Sequence, residues 1–171
     1  PATAAGVYTQ NKFAAAPVVL DRKRTPGQSI RAVIINSGNA NACTGQRGME
    51  DVTEMCRATA SACSIEAEEV LVMSTGVIGN FLPMDAIQSG IAEVANALGN
   101  DAGAVLSAAR GMLTTDSCTK TVQRNWKGAS LFGMAKGAAM IGPRMATMLG
   151  IILTDVAIDA EVAQRLLGAA V

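Results

Sequence analysis

A threonine in a small-residue, glycine-rich stretch is the clearest candidate nucleophile in the sequence. The stretch runs from Lys136 to Gly150, and Thr147 follows Ala146 in it, eleven positions after the lysine. A threonine hydroxyl is a weak nucleophile that needs a base, but the chain contains no histidine. A threonine at a new amino terminus can use its own α-amino group, whose pKa of about 8 lets it accept a proton near neutrality. We therefore predict that Thr147 attacks the Ala146 carbonyl and cuts that peptide bond, with Lys136 supplying positive charge.

The same threonine also has a purely structural interpretation. Thr147 begins an apolar run that ends at Thr154, and β-branched residues are common in strands. The local pattern alone favours this structural interpretation. The choice therefore depends on whether the rest of the chain supplies an oxyanion site and a substrate pocket.

Two further stretches carry groups that could assist a nucleophile. A buried strand predicted at Val70–Met73 leads into Ser74–Gly79, where Thr75 and Gly76 place a hydroxyl beside a closely approachable backbone N–H. A developing oxyanion needs donors of this kind. Leu113–Ser117 contains two threonines beside an aspartate, which could bind polar groups of a substrate. Each stretch has an ordinary turn as its alternative.

Composition narrows the classes of function. Fourteen basic residues balance fourteen acidic ones, which gives no electrostatic reason to expect nucleic acid or an anionic membrane as a partner. No apolar run approaches the ~20 residues of a membrane span, so we predict a cytoplasmic protein. Without histidine, Ser-His-Asp catalysis and most zinc sites are excluded. The four cysteines form no C-x-x-C pair, so we predict buried free thiols without metal or disulfide.

Apolar periodicity predicts the elements that must position these residues. Strands and helices alternate, so the predicted class is α/β, with α+β as the alternative. The stripe from Met84 to Leu98 is predicted to face the core, Asp159 to cap the last helix, and Val162 and Leu166 to point inward. Strands are predicted at Ala4–Phe13, Val18–Leu20, Ile30–Asn36, Val70–Met73, Leu131–Lys136 and Thr147–Thr154, helices at Met49–Cys63, Pro83–Leu98, Ala102–Met112 and Ala160–Ala170, an exposed turn at Asp21–Ser29 and a tight loop at Asn36–Ala42.

Several short stretches together resemble one enzyme family. In order along the chain they are Gly6–Asn11, Ala16–Val18, Ile35–Ala42, Ser74–Gly79, Leu113–Asp116, Ala135–Gly137 and Met145–Gly150. Each stretch alone is weak evidence, but the ordered set extends over nearly the whole length. The chain is similar to the N-terminal half of the ornithine acetyltransferase family, the bifunctional glutamate N-acetyltransferase and amino-acid acetyltransferase of arginine biosynthesis.

The resemblance implies a self-cleaving precursor with the DmpA/ornithine-acetyltransferase-like N-terminal-nucleophile architecture. Residues 1–146 would be the α-chain portion of the catalytic domain and residues 147–171 the start of the β chain, with the cut between Ala146 and Thr147. Thr147 would take the acetyl group from N2-acetylornithine and pass it to glutamate through an acetyl-threonine intermediate.

The resemblance also implies roles for residues outside the cleavage site. Thr75 and Gly76 match the oxyanion-stabilising pair of the family. Thr114 and Lys136 match its substrate-binding threonine and lysine, with Thr115 as the alternative register. Arg144 departs from the asparagine that often precedes the Met-Ala-Thr of the family, which puts the rate of cleavage in question.

The remaining implications concern partners. No resident cofactor or metal is implied, and acetyl-CoA stays open as a co-substrate because some members use it. The family pattern is an αβ heterodimer that pairs into a heterotetramer. Because the chain starts at Pro1 and other family contacts lie beyond Val171, we expect a fragment with little or no activity alone. Two alternatives stay open, a self-processing aminopeptidase or amidohydrolase and a non-catalytic scaffold homologue.

Overall fold

The computed structural model of the chain describes residues 1–138 and 148–171. The cleavage site at Ala146 and Thr147, and Arg144 before it, lie outside the described residues. Helices and strands are mixed along the chain, which confirms the predicted α/β class. The elements are β1 (Ala2–Ala4), α1 (Ala16–Asp21), β2 (Gly27–Ile30), β3 (Ala32–Asn39), α2 (Gly45–Cys63), β4 (Val70–Val77), α3 (Met84–Asn96), α4 (Ala102–Gly111), β5 (Lys120–Trp126), β6 (Ala129–Lys136), β7 (Leu149–Thr154) and α5 (Ala160–Ala170).

The strands are arranged in separate sheets. β3 and β4 run parallel, in register from Ala32 opposite Val70 to Gly38 opposite Gly76. Helix α2 makes the crossover between them, as parallel neighbours require. β5, β6 and β7 form an antiparallel sheet in that order, and β1 pairs with β2. The candidate residues Thr75 and Lys136 therefore belong to different sheets.

The buried core lies between α2 and the β3–β4 pair. On α2, Val52, Met55 and Cys56 are buried, and they belong to one apolar cluster with Val70 and Val72 of β4. Their spacing of three and four residues is the period of one helix face. Because strand side chains alternate between faces, β4 offers Val70 and Val72 to α2 and keeps its other face for different contacts.

Two predictions near the amino terminus are wrong. Val18–Leu20 is part of helix α1 rather than a strand, and the predicted strand at Ala4–Phe13 is limited to the end of β1. Pro17 lies in the first turn of α1, where its missing N–H is not needed. Ala16 and Leu20, four positions apart, are buried. A helix of this length contains too little sequence to display its own period.

The predicted exposed turn at Asp21–Ser29 is also corrected by the structure. Asp21 is buried, and its carboxylate oxygens accept the backbone N–H of Val72 at 3.1 and 3.2 Å. Arg24 donates to the backbone carbonyl of Val70. These side chains satisfy backbone groups on the edge of β4 that does not pair with β3. The basic and acidic residues of the turn are thus partly structural.

The structure also differs from the predictions in the extent of two strands and in the exposure of several apolar side chains. Asn36–Asn39 continues β3 instead of starting a loop, and β5, to which no prediction was assigned, is exposed along its whole length. In the predicted core stripe, Val94 and Leu98 are exposed, as is Leu166 on α5. Apolar periodicity identifies a helix face but not the elements available to cover it.

Several helix predictions are confirmed. Helices α2, α3, α4 and α5 lie where periodicity placed them, apart from residues at their ends. Asp159 caps α5 by accepting the backbone N–H groups of Glu161 and Val162.

All four cysteines are free. Their predicted burial is corrected, since Cys56 is buried, Cys63 is half-buried, and Cys43 and Cys118 are exposed.

Candidate active site

Thr75 and Lys136 meet at the ends of two strands. Lys136 is the last residue of β6, and its Nζ donates a hydrogen bond of 3.0 Å to Oγ1 of Thr75 near the end of β4. Both residues are buried, at 3% and 2% exposure. The bond spans 61 positions of sequence and links the β3–β4 pair to the β5–β6–β7 sheet. Two of the predicted site residues are therefore in direct contact.

The direction of this hydrogen bond determines what Thr75 can do. An ammonium group has donors only, so the Thr75 oxygen accepts and its own proton stays available for another acceptor. Because the group that donates to this oxygen is positively charged, it also makes the Thr75 hydroxyl a stronger donor, since hydrogen bonds in series polarise one another. The pair is thus a buried donor suited to an oxygen that gains negative charge.

Gly76 follows Thr75 in a conformation that needs glycine. Its φ is +133°, and a Cβ at this position would lie 2.2 Å from the carbonyl carbon of Gly38 and 2.5 Å from the backbone nitrogen of Asn39. Gly38 is its partner across the parallel pair and also has a positive φ, +102°. The two backbones therefore approach more closely here than side chains would allow. This packing requires the glycine whatever its part in chemistry.

Asp116 anchors the loop that carries Thr114. Its Oδ1 accepts the backbone N–H of Gly137 at 2.8 Å and also the ammonium of Lys120. The Asp116 side chain is fully buried. The hydrogen bond from Lys120, the bond from Gly137 and the charges of Lys120 and Lys136 lower the pKa of Asp116 to about 2. The loop is thus held against the residue that follows Lys136.

Sequence reasoning missed Asp116 as a functional candidate. It treated the aspartate as a neighbour of the threonines in Leu113–Ser117, whose local alternative was a turn. A usable signal was present, since Lys120 follows at the fourth position and forms the ion pair found in the structure. Thr114 and Thr115 are both exposed on this loop, so either register leaves a threonine accessible beside Asp116.

The start of β7 lies next to Lys136. Leu149 is the register partner of Lys136 in the antiparallel β6–β7 pair. Leu149 is two residues after Thr147 in the sequence, so about 7 Å of chain joins them. Thr147 and Ala146 themselves lie outside the described residues, and both the nucleophile and the cut stay predictions.

The asparagine-rich end of β3 is held in place by its own side chains. Nδ2 of Asn36 donates to the carbonyl of Asn39 at 2.8 Å. Nδ2 of Asn39 donates to the carbonyls of Asn80 and Phe81 at 3.1 and 3.0 Å. The amides thereby fasten the end of β3 to the segment after β4.

Across residues 1–138 and 148–171, no cluster of three or more His, Cys, Asp or Glu is arranged to hold a metal ion. None of the helices described there has the length and apolar character needed to cross a membrane.

Sequence relatives share nearly all of this chain. The ArgJ family model matches residues 1–171. The arginine biosynthesis bifunctional protein ArgJ of Rhodopirellula baltica is 45% identical over 168 residues, covering 96% of this chain and 41% of the relative. The ArgJ of Symbiobacterium thermophilum is 51% identical over 164 residues, with 94% and 40% covered. The chain thus spans about 40% of the length of the curated relatives it matches.

Solved structures agree with the sequence relatives. The ArgJ of Bacillus halodurans matches with a TM-score of 0.74 and 39% identity, covering 87% of this chain and 78% of that one. The ornithine acetyltransferase of Mycobacterium tuberculosis, solved in complex with ornithine, matches with a TM-score of 0.78 and 40% identity, covering 87% and 79%. With a family model that extends over its whole length, this chain belongs to the ArgJ family.

Proposed function

We propose that the full-length protein carrying this chain is a self-cleaving acetyltransferase that moves an acetyl group from N2-acetylornithine to glutamate in arginine biosynthesis. The observation that carries the proposal is the buried hydrogen bond from Lys136 to Thr75. It supports the proposal because the ammonium can only donate, so Thr75 accepts with its oxygen and keeps its own proton as a donor. The strand that pairs with β6, β7, also begins two residues after Thr147 in the sequence. Family membership and the ornithine complex of a similar acetyltransferase support the choice of substrates.

The proposed reaction begins with self-cleavage. Oγ of Thr147 attacks the Ala146 carbonyl, the hydroxyl proton passes to the Thr147 nitrogen, and the C–N bond breaks, which leaves an Ala146 ester on Oγ and a free Thr147 amine. Water then hydrolyses the Ala146 ester. The products are an α chain that ends in the Ala146 carboxylate and a β chain that begins at residue 147. We propose that both parts belong to one catalytic domain.

Acetyl transfer would use the new amine as the base. The α-amino group of Thr147 takes the hydroxyl proton while Oγ attacks the acetyl carbonyl of N2-acetylornithine. That proton passes to the departing ornithine nitrogen, which leaves an acetyl-threonine ester. The amine of glutamate attacks this ester, and the proton that it loses returns through the Thr147 amine to Oγ. No electrons are exchanged, so the cycle needs no redox cofactor.

Thr75 and Gly76 are proposed as the oxyanion donors in both steps. Each step passes through a tetrahedral oxyanion, and loss of one such donor typically lowers kcat by about 10²–10³-fold. Thr114 and Lys136 are proposed to bind the substrate. The Lys136 ammonium has three donors, so its bond to Thr75 leaves others for a substrate carboxylate.

The wider assembly and location are also proposals. We propose an αβ heterodimer that pairs into a heterotetramer, with acetyl-CoA open as an alternative acetyl donor. We propose a cytoplasmic location for this protein. The ArgJ relative of Neurospora crassa is a mitochondrial protein. Gel filtration of the cleaved protein, followed by denaturing mass spectrometry of the peak, would test the assembly.

The decisive experiment combines a mass measurement with an assay. Intact mass spectrometry of the full-length protein should give two fragments that join at Ala146 and Thr147, and Thr147→Ala should stay uncut. The cleaved protein should convert acetylornithine and glutamate into ornithine and acetylglutamate. Acetate release without any need for glutamate would instead indicate an amidohydrolase. A single uncut mass for both proteins would support a non-catalytic homologue.

A further inference from the structure

The buried ammonium of Lys136 requires compensation. Removing a charge from water is unfavourable unless hydrogen bonds and an opposite charge replace the lost hydration. Thr75 supplies a neutral acceptor for Lys136. The charge of Lys136 helps to lower the pKa of the nearby Asp116 carboxyl, after the stronger contributions of Lys120 and Gly137. Asp116 is therefore a source of negative charge beside Lys136.

Asp116 also controls the backbone at this point. Its Oδ1 accepts the N–H of Gly137, the residue immediately after Lys136. Gly137 has a φ of +149°, in the region that residues with a Cβ rarely adopt. The chain thus leaves β6 through an uncommon backbone conformation, and a fully buried carboxylate holds the first peptide of that exit.

We propose that Asp116 is a positioning residue for acetyl transfer, which holds Lys136 on the Thr75 hydroxyl through the Gly137 peptide and through its charge. This inference rests on the proposed function. Asp116 does not touch the reacting atoms in this account, and it acts through Lys136. Displacements of about 1 Å in catalytic geometry can lower rates by about 10²-fold, so a small shift of the Lys136 backbone is enough to matter.

Lys120 provides a matched control. It donates to the same Oδ1 of Asp116, but its side chain is 46% exposed. Because the Lys120 side chain reaches water, solvent can take the place of its ammonium, and Lys120→Met keeps both the Asp116 carboxyl and its bond to Gly137. Asp116→Asn removes the charge while keeping an oxygen that can accept from Gly137. Asp116→Ala removes both.

The test uses the full-length protein and measures kcat and KM with acetylornithine and glutamate, per cleaved active site counted by intact mass. We expect Asp116→Asn to lower kcat by about 10-fold and Asp116→Ala by about 10²-fold, with KM changing less. Lys120→Met should stay within about 3-fold of wild type. Equal losses for Lys120→Met and Asp116→Asn would overturn the inference.

A double-mutant cycle separates positioning from a general structural role. If Asp116 acts through Lys136, adding Asp116→Asn to Lys136→Met should lower kcat further by no more than about 2-fold. The same large loss in both backgrounds would contradict the inference. If Asp116→Asn does not fold, Asp116→Glu replaces it in the cycle, because it keeps the charge and displaces the carboxylate by one methylene. Wild-type protein without acetyl transfer would refute the proposed function, whereas active wild type with unaffected Asp116 variants would refute only this inference.

Discussion

The two ends of β4 are held by different chemistry. At the core end, the carboxylate of Asp21 accepts the N–H of Val72, and burial raises the pKa of Asp21 to about 7. At the other end, Thr75 accepts from Lys136, while the nearby Asp116 has its pKa lowered to about 2, chiefly by its hydrogen bond with Lys120. Two buried carboxyls in one chain therefore differ in which protonation state the fold favours.

The contrast between these two carboxyl groups separates a structural role from a role in chemistry. Asp21 is buried, and the loss of hydration outweighs both the backbone N–H of Val72 and the charge of Arg24, so its charged form is unfavourable. Asp116 has cationic partners, so it stays ionised and can act on Lys136 across the pH range in which enzymes work. At the site end of β4 cationic partners keep the carboxylate charged, whereas at the core end burial outweighs the nearby Arg24 and favours the neutral acid.

The largest expected effect tests the close approach of strands at the site end. Gly76→Ala should lower the free energy of unfolding by ~2–6 kcal/mol, because it combines a strained backbone conformation with overpacking. The added Cβ would meet the Gly38 carbonyl carbon at 2.2 Å. Denaturant unfolding of the full-length variant measures this. Gly90→Ala is the control, since beyond its chain neighbours and its own helix backbone the described residues place no heavy atom within 4 Å of an added Cβ. Equal stability of Gly76→Ala and wild type would contradict the strain.

The next effect concerns Thr75 itself. Thr75→Val keeps the shape of the side chain but removes the hydroxyl, so we expect kcat for acetyl transfer to fall by about 10²–10³-fold. Self-cleavage should slow as well, because the same donor serves both steps. Thr53→Val on α2 is a control, since among the described residues that hydroxyl bonds its own helix at the Met49 carbonyl. An unchanged kcat for Thr75→Val would exclude Thr75 as an oxyanion donor.

A smaller effect is expected at the core end, in the pH dependence of the free energy of unfolding. The folded pKa of Asp21, about 7, lies above its unfolded value of 3.8. The folded state therefore holds a proton that the unfolded state has released, and the stabilisation is present below pH 4 and lost as pH rises through 7. The slope between these values is at most ~1.4 kcal/mol per pH unit. Asp21→Asn should remove this slope relative to wild type, as measured by urea unfolding from pH 4 to 8; parallel pH curves would contradict it.

The smallest effect should have the opposite sign at Asp116. Its folded pKa of about 2 lies below the unfolded value of 3.8. Its contribution to stability is therefore present above pH 4 and is lost as pH falls through 2. Thermal unfolding of wild type and Asp116→Asn between pH 2 and 5 should show the two curves converge on acidification. Divergence of the curves at low pH would break the contrast with Asp21.

The sequence alone determined much about the kind of chemistry. The absence of histidine excludes an imidazole base within this chain, and the apolar period of α2 predicts that helix almost to its ends. The sequence also singled out Thr75, Gly76 and Lys136, because residue types and the order of motifs can be read directly along the chain. The cut at Ala146 and Thr147 likewise follows from local pattern and resemblance, and it stays a prediction.

Only the tertiary structure decided which groups meet. The contact between Lys136 and Thr75 crosses 61 positions of sequence, the burial of Asp21 depends on its bond to Val72 at the edge of β4, and Asp116 became a candidate only through Gly137. Residue type sets what a side chain can donate, accept or ionise. Burial, hydrogen-bond partners and pKa depend on atoms brought from distant parts of the chain, and no local pattern in the sequence records those neighbours.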